Sequence, residues 1–291
     1  MFSRRHPFLF FFLASLSVLC GTTVLLALIQ GWKAGDFWPG KRVGIVEITG
    51  AIEDSWFPVE ALRAFAENDR IAAIVLRVDS PGGGVAPSQE IYREVERTVD
   101  VKPVVVSMGS MATSGGYYAG ACSDGIMASP GTITGSIGAL IEFYNYKGLL
   151  DKLGLYSVVI KSAQFKDMAS PTRELTPEEQ ALLKKNLENI HQQFIEDVAK
   201  GRNLALEAVR ALADGRIFTG KEALDLGLVD SLGNLEDAID WAGELGGITG
   251  EIRYEYAKPE ERDFLTYILD YTASRLSGVA GDLPRFSYRF R

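Results

Sequence analysis

Histidine is nearly absent: the 291-residue chain holds two, His6 and His191. Histidine is the usual base behind a serine or cysteine nucleophile and the commonest metal ligand. His6 precedes a long apolar run, and His191 sits beside the apolar stripe of an amphipathic stretch, so a histidine-based triad has little support. Cysteine is equally scarce. Cys20 and Cys122 cannot supply a disulfide framework, and Cys20 lies inside an apolar segment. Positive charge is in deficit, with a net charge of −8 and no dense basic cluster in the body of the chain. That argues against a nucleic-acid partner, which needs a basic face. No internal repeat is evident, and no metal or cofactor is implied.

What is plentiful is apolar sequence at the start. From Pro7 to Trp32 there is no charge, and "FLFFFLASLSVLCGTTVLLALI" supplies about twenty apolar residues, enough to span a bilayer. Arg4 and Arg5 precede it, which places the N-terminus in the cytoplasm and the body of the chain outside it. The run is longer than a secretory signal core, and "LIQGWKAG" is a poor cleavage site. An uncleaved anchor is therefore expected over a cleaved signal or a lipoprotein. The expected organisation is a cytoplasmic end plus transmembrane anchor (1–32), a linker (33–41), a folded domain (42–246) and a C-terminal extension (247–291).

Within the body, strands and helices alternate. "RVGIVEITGAI", "RIAAIVLRVDS" and "KPVVVSMG" read as strands, the second a continuous run suited to a sheet buried on both faces. Helices are expected over Trp56–Asn68, Pro87–Thr98, Ser114–Ala121 and Tyr146–Leu153. "DGIMASP", "TITGSIGALIEFYN" and "YSVVIKS" read as strand-like pieces, and "EIRYEYA" as a late strand. Thr176 followed by Pro177 and acidic residues opens a long helix whose Leu183, Leu187, Ile190, Phe194 and Val198 form one stripe. The fold class is thus α/β, a mostly parallel sheet flanked by helices.

Two glycine-rich loops follow strands. "DSPGGGV" exposes backbone N–H groups, and "SMATSGG" puts a serine at a helix start, where N–H groups and the dipole favour negative charge. Together they could supply a nucleophile and an oxyanion hole. A phosphate cradle or turn, with Ser114 as an N-cap, is the alternative. With histidine lacking, the base would be a lysine or a carboxylate. "IKSAQFKDMASP" offers Lys161 and Lys166, the second between Phe165 and Met168, a possible apolar wall that would lower its pKa.

"DSPGGGV", "VSMGSMATSGGYY", "GTITGSIG", "KSAQFKDMASPTRELT" and "GRIFTGKEALDLGLVDSLG" resemble, in order, the motifs of the signal peptide peptidase A (SppA) family. The likeness runs from about Arg42 to Ala242 and fits the single-repeat, membrane-anchored form. It implies a ClpP/crotonase-like fold for residues 42–246 and a serine endopeptidase of the bacterial inner membrane. Its substrates would be remnant signal peptides and other unfolded apolar segments. By position, the nucleophile would be Ser114 rather than Ser110, and the base Lys166 rather than Lys161, with Phe165 where the family has tyrosine. Gly83 and Gly115 would donate to the oxyanion, and Ser136 would orient the lysine. In single-repeat members serine and lysine meet across a subunit boundary in a homo-oligomer. The rival readings are a crotonase-type acyl-CoA enzyme, disfavoured by the anchor, and a catalytically silent scaffold or regulator.

Overall fold

The computed structural model describes residues 6–33 and 40–258, in two compact units divided between Lys41 and Arg42. In the first, Pro7–Lys33 form one 27-residue helix, α1. Its side chains at 7, 9, 14 and 26–33 lie outside the described set; among the described residues no helix is long and apolar enough to cross a membrane.

The second unit is built on β1 (Arg42–Thr49), β2 (Ile71–Ser80) and β3 (Val104–Thr113), paired in parallel. β2 shows why the sequence IAAIVLRV makes a central strand: Ile71–Leu76 are all buried, odd and even positions alike. Both faces are covered, so alternation gives way to a continuous apolar run. One face carries Val43, Ile45, Ala73, Val75 and Val105, against Ala238, Ile239 and Ala242 of helix α9 (Leu235–Leu245). The other holds Ile74, Leu76, Val78 and Val106, under α2 (Trp56–Glu67), α3 (Val85–Val99), α4 (Gly115–Gly120) and α6 (Pro177–Gly201).

Short strands β4 (Gly125–Ala128), β5 (Ile133–Gly135), β6 (Ile217–Thr219), β7 (Ser231–Leu232) and β8 (Tyr254–Tyr256) extend the sheet. The path is β6-β5-β3-β2-β1-β8, with β4 beside β3 and β7 beside β4. Only the β5–β6 pair is antiparallel among the described strands. β8, within the expected C-terminal extension, pairs with β1. The tail beyond Lys258 lies outside the described residues.

Two strand expectations fail. Of Thr132–Asn145 only Ile133–Gly135 is strand, and Tyr156–Ser162 is not strand at all. Tyr156, Val158 and Ile160 are 86%, 74% and 97% exposed. Their β-branched pattern suits a strand, but among the described residues no strand lies alongside to bond with, and an unpaired strand is not stable in water. The stretch from Leu140 to Lys166 is instead an exposed arm, with only α5 (Lys147–Lys152) as regular structure.

Arg173 and a Gln164 Nε2–Glu178 Oε2 bond of 2.9 Å tie the end of the arm to the start of α6. Arg173 donates to Asp167 Oδ2 at 2.9 Å and to Glu179 Oε2 at 2.8 Å. Glu179 also closes the capping box that starts α6: it accepts from the Thr176 N–H at 2.9 Å, while its own N–H donates to Thr176 Oγ1. Arg173 first, and the Thr176 N–H second, depress the Glu179 carboxyl to about 2. A depressed carboxyl contributes stability that is full above its unfolded value near ~4.3 and fades as pH falls through the folded one. Hydrogen-exchange protection at Asp167–Glu179, relative to the intrinsic rate at each pH, is therefore expected to fall between about pH 4 and pH 2, ahead of the β2 core.

Candidate active site

Ser114 links the end of β3 to α4 at φ 52°, ψ −122°. That is a costly conformation for a residue with a Cβ, and such strain concentrates at functional sites. The surroundings over-determine it. The Ser114 N–H donates to Gly135 O at 2.9 Å, and its carbonyl accepts from the Tyr118 N–H at 2.9 Å. Ser136, next after Gly135, is also at φ 52°, with its N–H on Arg216 O at 2.9 Å. Ser114 and Ser136 thus both have positive φ at the same end of one parallel strand pair, just after Thr113↔Gly135.

The triple-glycine loop lies against Ser114. A Cβ on Gly82 (φ +96°) would fall 2.7 Å from Gly115 N and 2.9 Å from Ser114 Cβ. Gly83 forms a parallel bridge with Ile52: the Ile52 N–H donates to Gly82 O at 3.0 Å, and the Gly84 N–H to Ile52 O at 2.8 Å. A parallel bridge of this kind uses the groups flanking Gly83 and turns Gly83's own N–H the other way. Among the described residues neither the Gly83 nor the Gly115 N–H has an acceptor. A Cβ on Gly115 would lie 3.3 Å from Gly83 N, so the two donors are neighbours. Such an arrangement can hold a carbonyl oxygen between two N–H groups while a hydroxyl attacks its carbon. A Cβ at Gly83 would meet Ile52 O at 2.3 Å. Gly83→Ala is accordingly expected to lower kcat by about 10²-fold in a peptide-hydrolysis assay, the scale of losing one oxyanion donor.

Ser114 opens into a pocket lined by Val85, Tyr118, Ile190 and Phe194. The Tyr118 ring stands edge-on to Phe194, centroids 4.6 Å apart, and its hydroxyl donates to the Asp197 carboxylate. Burial first, then Asp197, push the Tyr118 phenol far above its usual range, so it serves as a donor and not as a base. Sequence reading missed this pocket. Ile190 and Phe194 stood in the α6 stripe, which reads as core, but only Phe194, Ile195, Val198 and Ala199 of that helix are buried hydrophobics. The half-buried remainder runs on past the core, with Ile190 at the pocket.

The lysines are elsewhere. Lys166 is exposed, in a turn where its N–H donates to Ala163 O at 3.2 Å, and it does not line the pocket. The expected apolar wall is not there: Phe165 is 41% exposed. Among the described residues this short polar turn lies outside the buried core. Lys161 donates to Asp167 Oδ1 at 2.6 Å. His191, on α6, has a buried Nε2 without a partner among the described residues and does not line the pocket either. The structure therefore brings Ser114, Gly83, Gly115 and Ser136 into one region and leaves Lys166 on the arm.

Residues 96–249 match peptidase family S49. Ser114, Gly115, Ser136 and Lys166 fall inside that match, and Gly83 just before it. "Putative protease slr0021" of Synechocystis sp. is 46% identical over 210 residues, 72% of this chain and 76% of its own. "Putative signal peptide peptidase SppA" of Enterococcus faecium is 42% identical over 181 residues, 62% of this chain and 52% of its own. Among solved structures, a ClpP1 mutant of Listeria monocytogenes has a TM-score of 0.48 at 16% identity, covering 67% of this chain and 94% of that one. The chain belongs to peptidase family S49, the SppA family, and is a protease.

Proposed function

We propose that this protease is a membrane-anchored endopeptidase that cleaves unfolded apolar segments, remnant signal peptides among them, through an acyl-enzyme on Ser114. The observation that carries the reading is Ser114 itself, strained at φ 52° beside two N–H groups without acceptors. Its Oγ would attack the scissile carbonyl, with the developing oxyanion received by Gly83 and Gly115. The proton would pass to a neutral Lys166 amine, oriented by Ser136, and on to the leaving amine; water would then release the acyl group. The apolar lining from Val85, Ile190 and Phe194 supports an apolar side chain beside the scissile bond.

A lysine in water stays protonated at neutral pH and becomes a base only when desolvated. Lys166 is exposed on the arm and does not line the Ser114 pocket, which supports a site completed by a second copy. The arm that bears it supports a neighbouring copy as the cover, since Leu140, Tyr156 and Ile160 are each more than 80% exposed. The dyad would form between subunits of a homo-oligomer.

Anchoring by α1 is part of the proposal. Twenty-seven residues at ~1.5 Å each exceed the ~30 Å hydrocarbon core, and the sequence holds no charge from Pro7 to Trp32. The catalytic unit would lie outside the cytoplasm. The test is cleavage of a synthetic signal peptide by the detergent-solubilised full chain, with alkaline carbonate extraction of membranes. Cleavage within the apolar core and retention in the pellet are expected. An intact peptide contradicts the substrate, and release into the supernatant contradicts the anchor.

A further inference from the structure

Between β2 and β3 the register slips. Pairing is regular from Ile74↔Val104 to Val78↔Met108, but the next pair is Ser80↔Ala112. Two steps along β2 match four along β3, so β3 bulges around Gly109 and Ser110. There β3 also changes partner: Val105–Ser107 pair with β4, and Met111–Thr113 with β5. Inserting two residues preserves the in–out alternation of side chains while re-aiming the strand's end. Ser114 continues the new pairing through its N–H on Gly135 O. The bulge thereby decides where the serine stands relative to the Gly83 loop.

Three side chains hold the bulge. The Arg77 guanidinium donates to Met108 O at 3.0 Å, the Thr132 hydroxyl to Gly109 O at 2.8 Å, and the Met111 N–H to Asp79 Oδ1 at 3.2 Å. The Asp79 carboxylate is seated directly on Gly109, where a Cβ would lie 2.7 Å from Asp79 Cγ. Asp79 also stands at the root of the other half of the site. Its carbonyl accepts from the Gly50 N–H at 3.0 Å, and the next residue, Ser80, accepts the Gly82 N–H on its hydroxyl at 3.1 Å.

We propose that Asp79 is a positioning residue: its Oδ1 locks the β3 bulge and so sets Ser114 against the Gly83 loop. This rests on Ser114 being the nucleophile. The requirement is an acceptor at Oδ1, which asparagine also supplies, and not a charge.

The test is steady-state hydrolysis by full-length Asp79→Asn, Asp79→Ala and Ser114→Ala, with melting temperatures measured alongside. Asp79→Ala is expected to lose about 10²-fold in kcat with KM nearly unchanged, the scale for a nucleophile displaced by about 1 Å. Asp79→Asn is expected to keep kcat within about threefold, since one hydrogen bond is retained. Should Asp79→Ala not fold, Gly109→Ala presses on the carboxylate without removing it and is expected to show the same kcat-selective loss. Wild-type kcat in the alanine variant, or equal losses in the asparagine and alanine variants, overturns the inference alone. Activity surviving in Ser114→Ala overturns the nucleophile reading and this inference with it.

Discussion

Ser114→Ala is expected to slow peptide hydrolysis by at least about 10³-fold while leaving the fold intact, because removing an attacking atom leaves only binding and the oxyanion donors. The side chain holds no part of the core; β3, α4 and the Ser114 backbone bonds to Gly135 and Tyr118 remain. The strain remains too, since alanine at φ 52° is no easier than serine. Ser114→Gly should differ. It is expected to be as inactive as the alanine variant but more stable, by about 1 kcal/mol, as glycine relieves the left-handed backbone. Thermal melts of the two variants side by side separate strain from chemistry.

Lys166→Ala is expected to cost a comparable factor, about 10³-fold or more, through loss of the base. The distinguishing result comes from mixing. Lys166 lies on an exposed arm away from the pocket that Ser114 opens into. If each dyad takes its serine and lysine from different copies, co-assembled Ser114→Ala and Lys166→Ala chains rebuild working sites. Random pairing in a cyclic oligomer makes about one interface in four competent, so activity should return to roughly a quarter of wild type. A dyad within one chain predicts no recovery. The alternative cause of inactivity, a misassembled oligomer, is checked by sizing the mixture.

Most of the sheet was legible because its signals are local or self-consistent. IAAIVLRV reads as a strand buried on both sides, and Thr176-Pro177 with Glu179 spells a capping box that the structure realises. The arm was not legible for the opposite reason. Tyr156–Ser162 has the composition of a strand, but a strand exists only with a partner, and sequence does not say which edge is available. The pocket was half legible: Phe194 and Ile190 share a helical stripe, and only the end of the helix meets the core. Nothing in the sequence marks where along α6 that core stops. The β3 bulge was hidden as well: "KPVVVSMG" reads as the strand and "SMATSGG" as a loop after it, whereas β3 runs on to Thr113, and the slip shows only when its change of partner from β4 to β5 is known.

Ser114 is the residue that the proposed acyl-enzyme requires. The most direct measurement is mass-spectrometric mapping of the adduct left by a fluorophosphonate on the detergent-solubilised full chain. One modified peptide is expected, carrying the adduct on Ser114, and none in Ser114→Ala. An adduct on Ser110 or Ser136, or labelling that persists in Ser114→Ala, would contradict it.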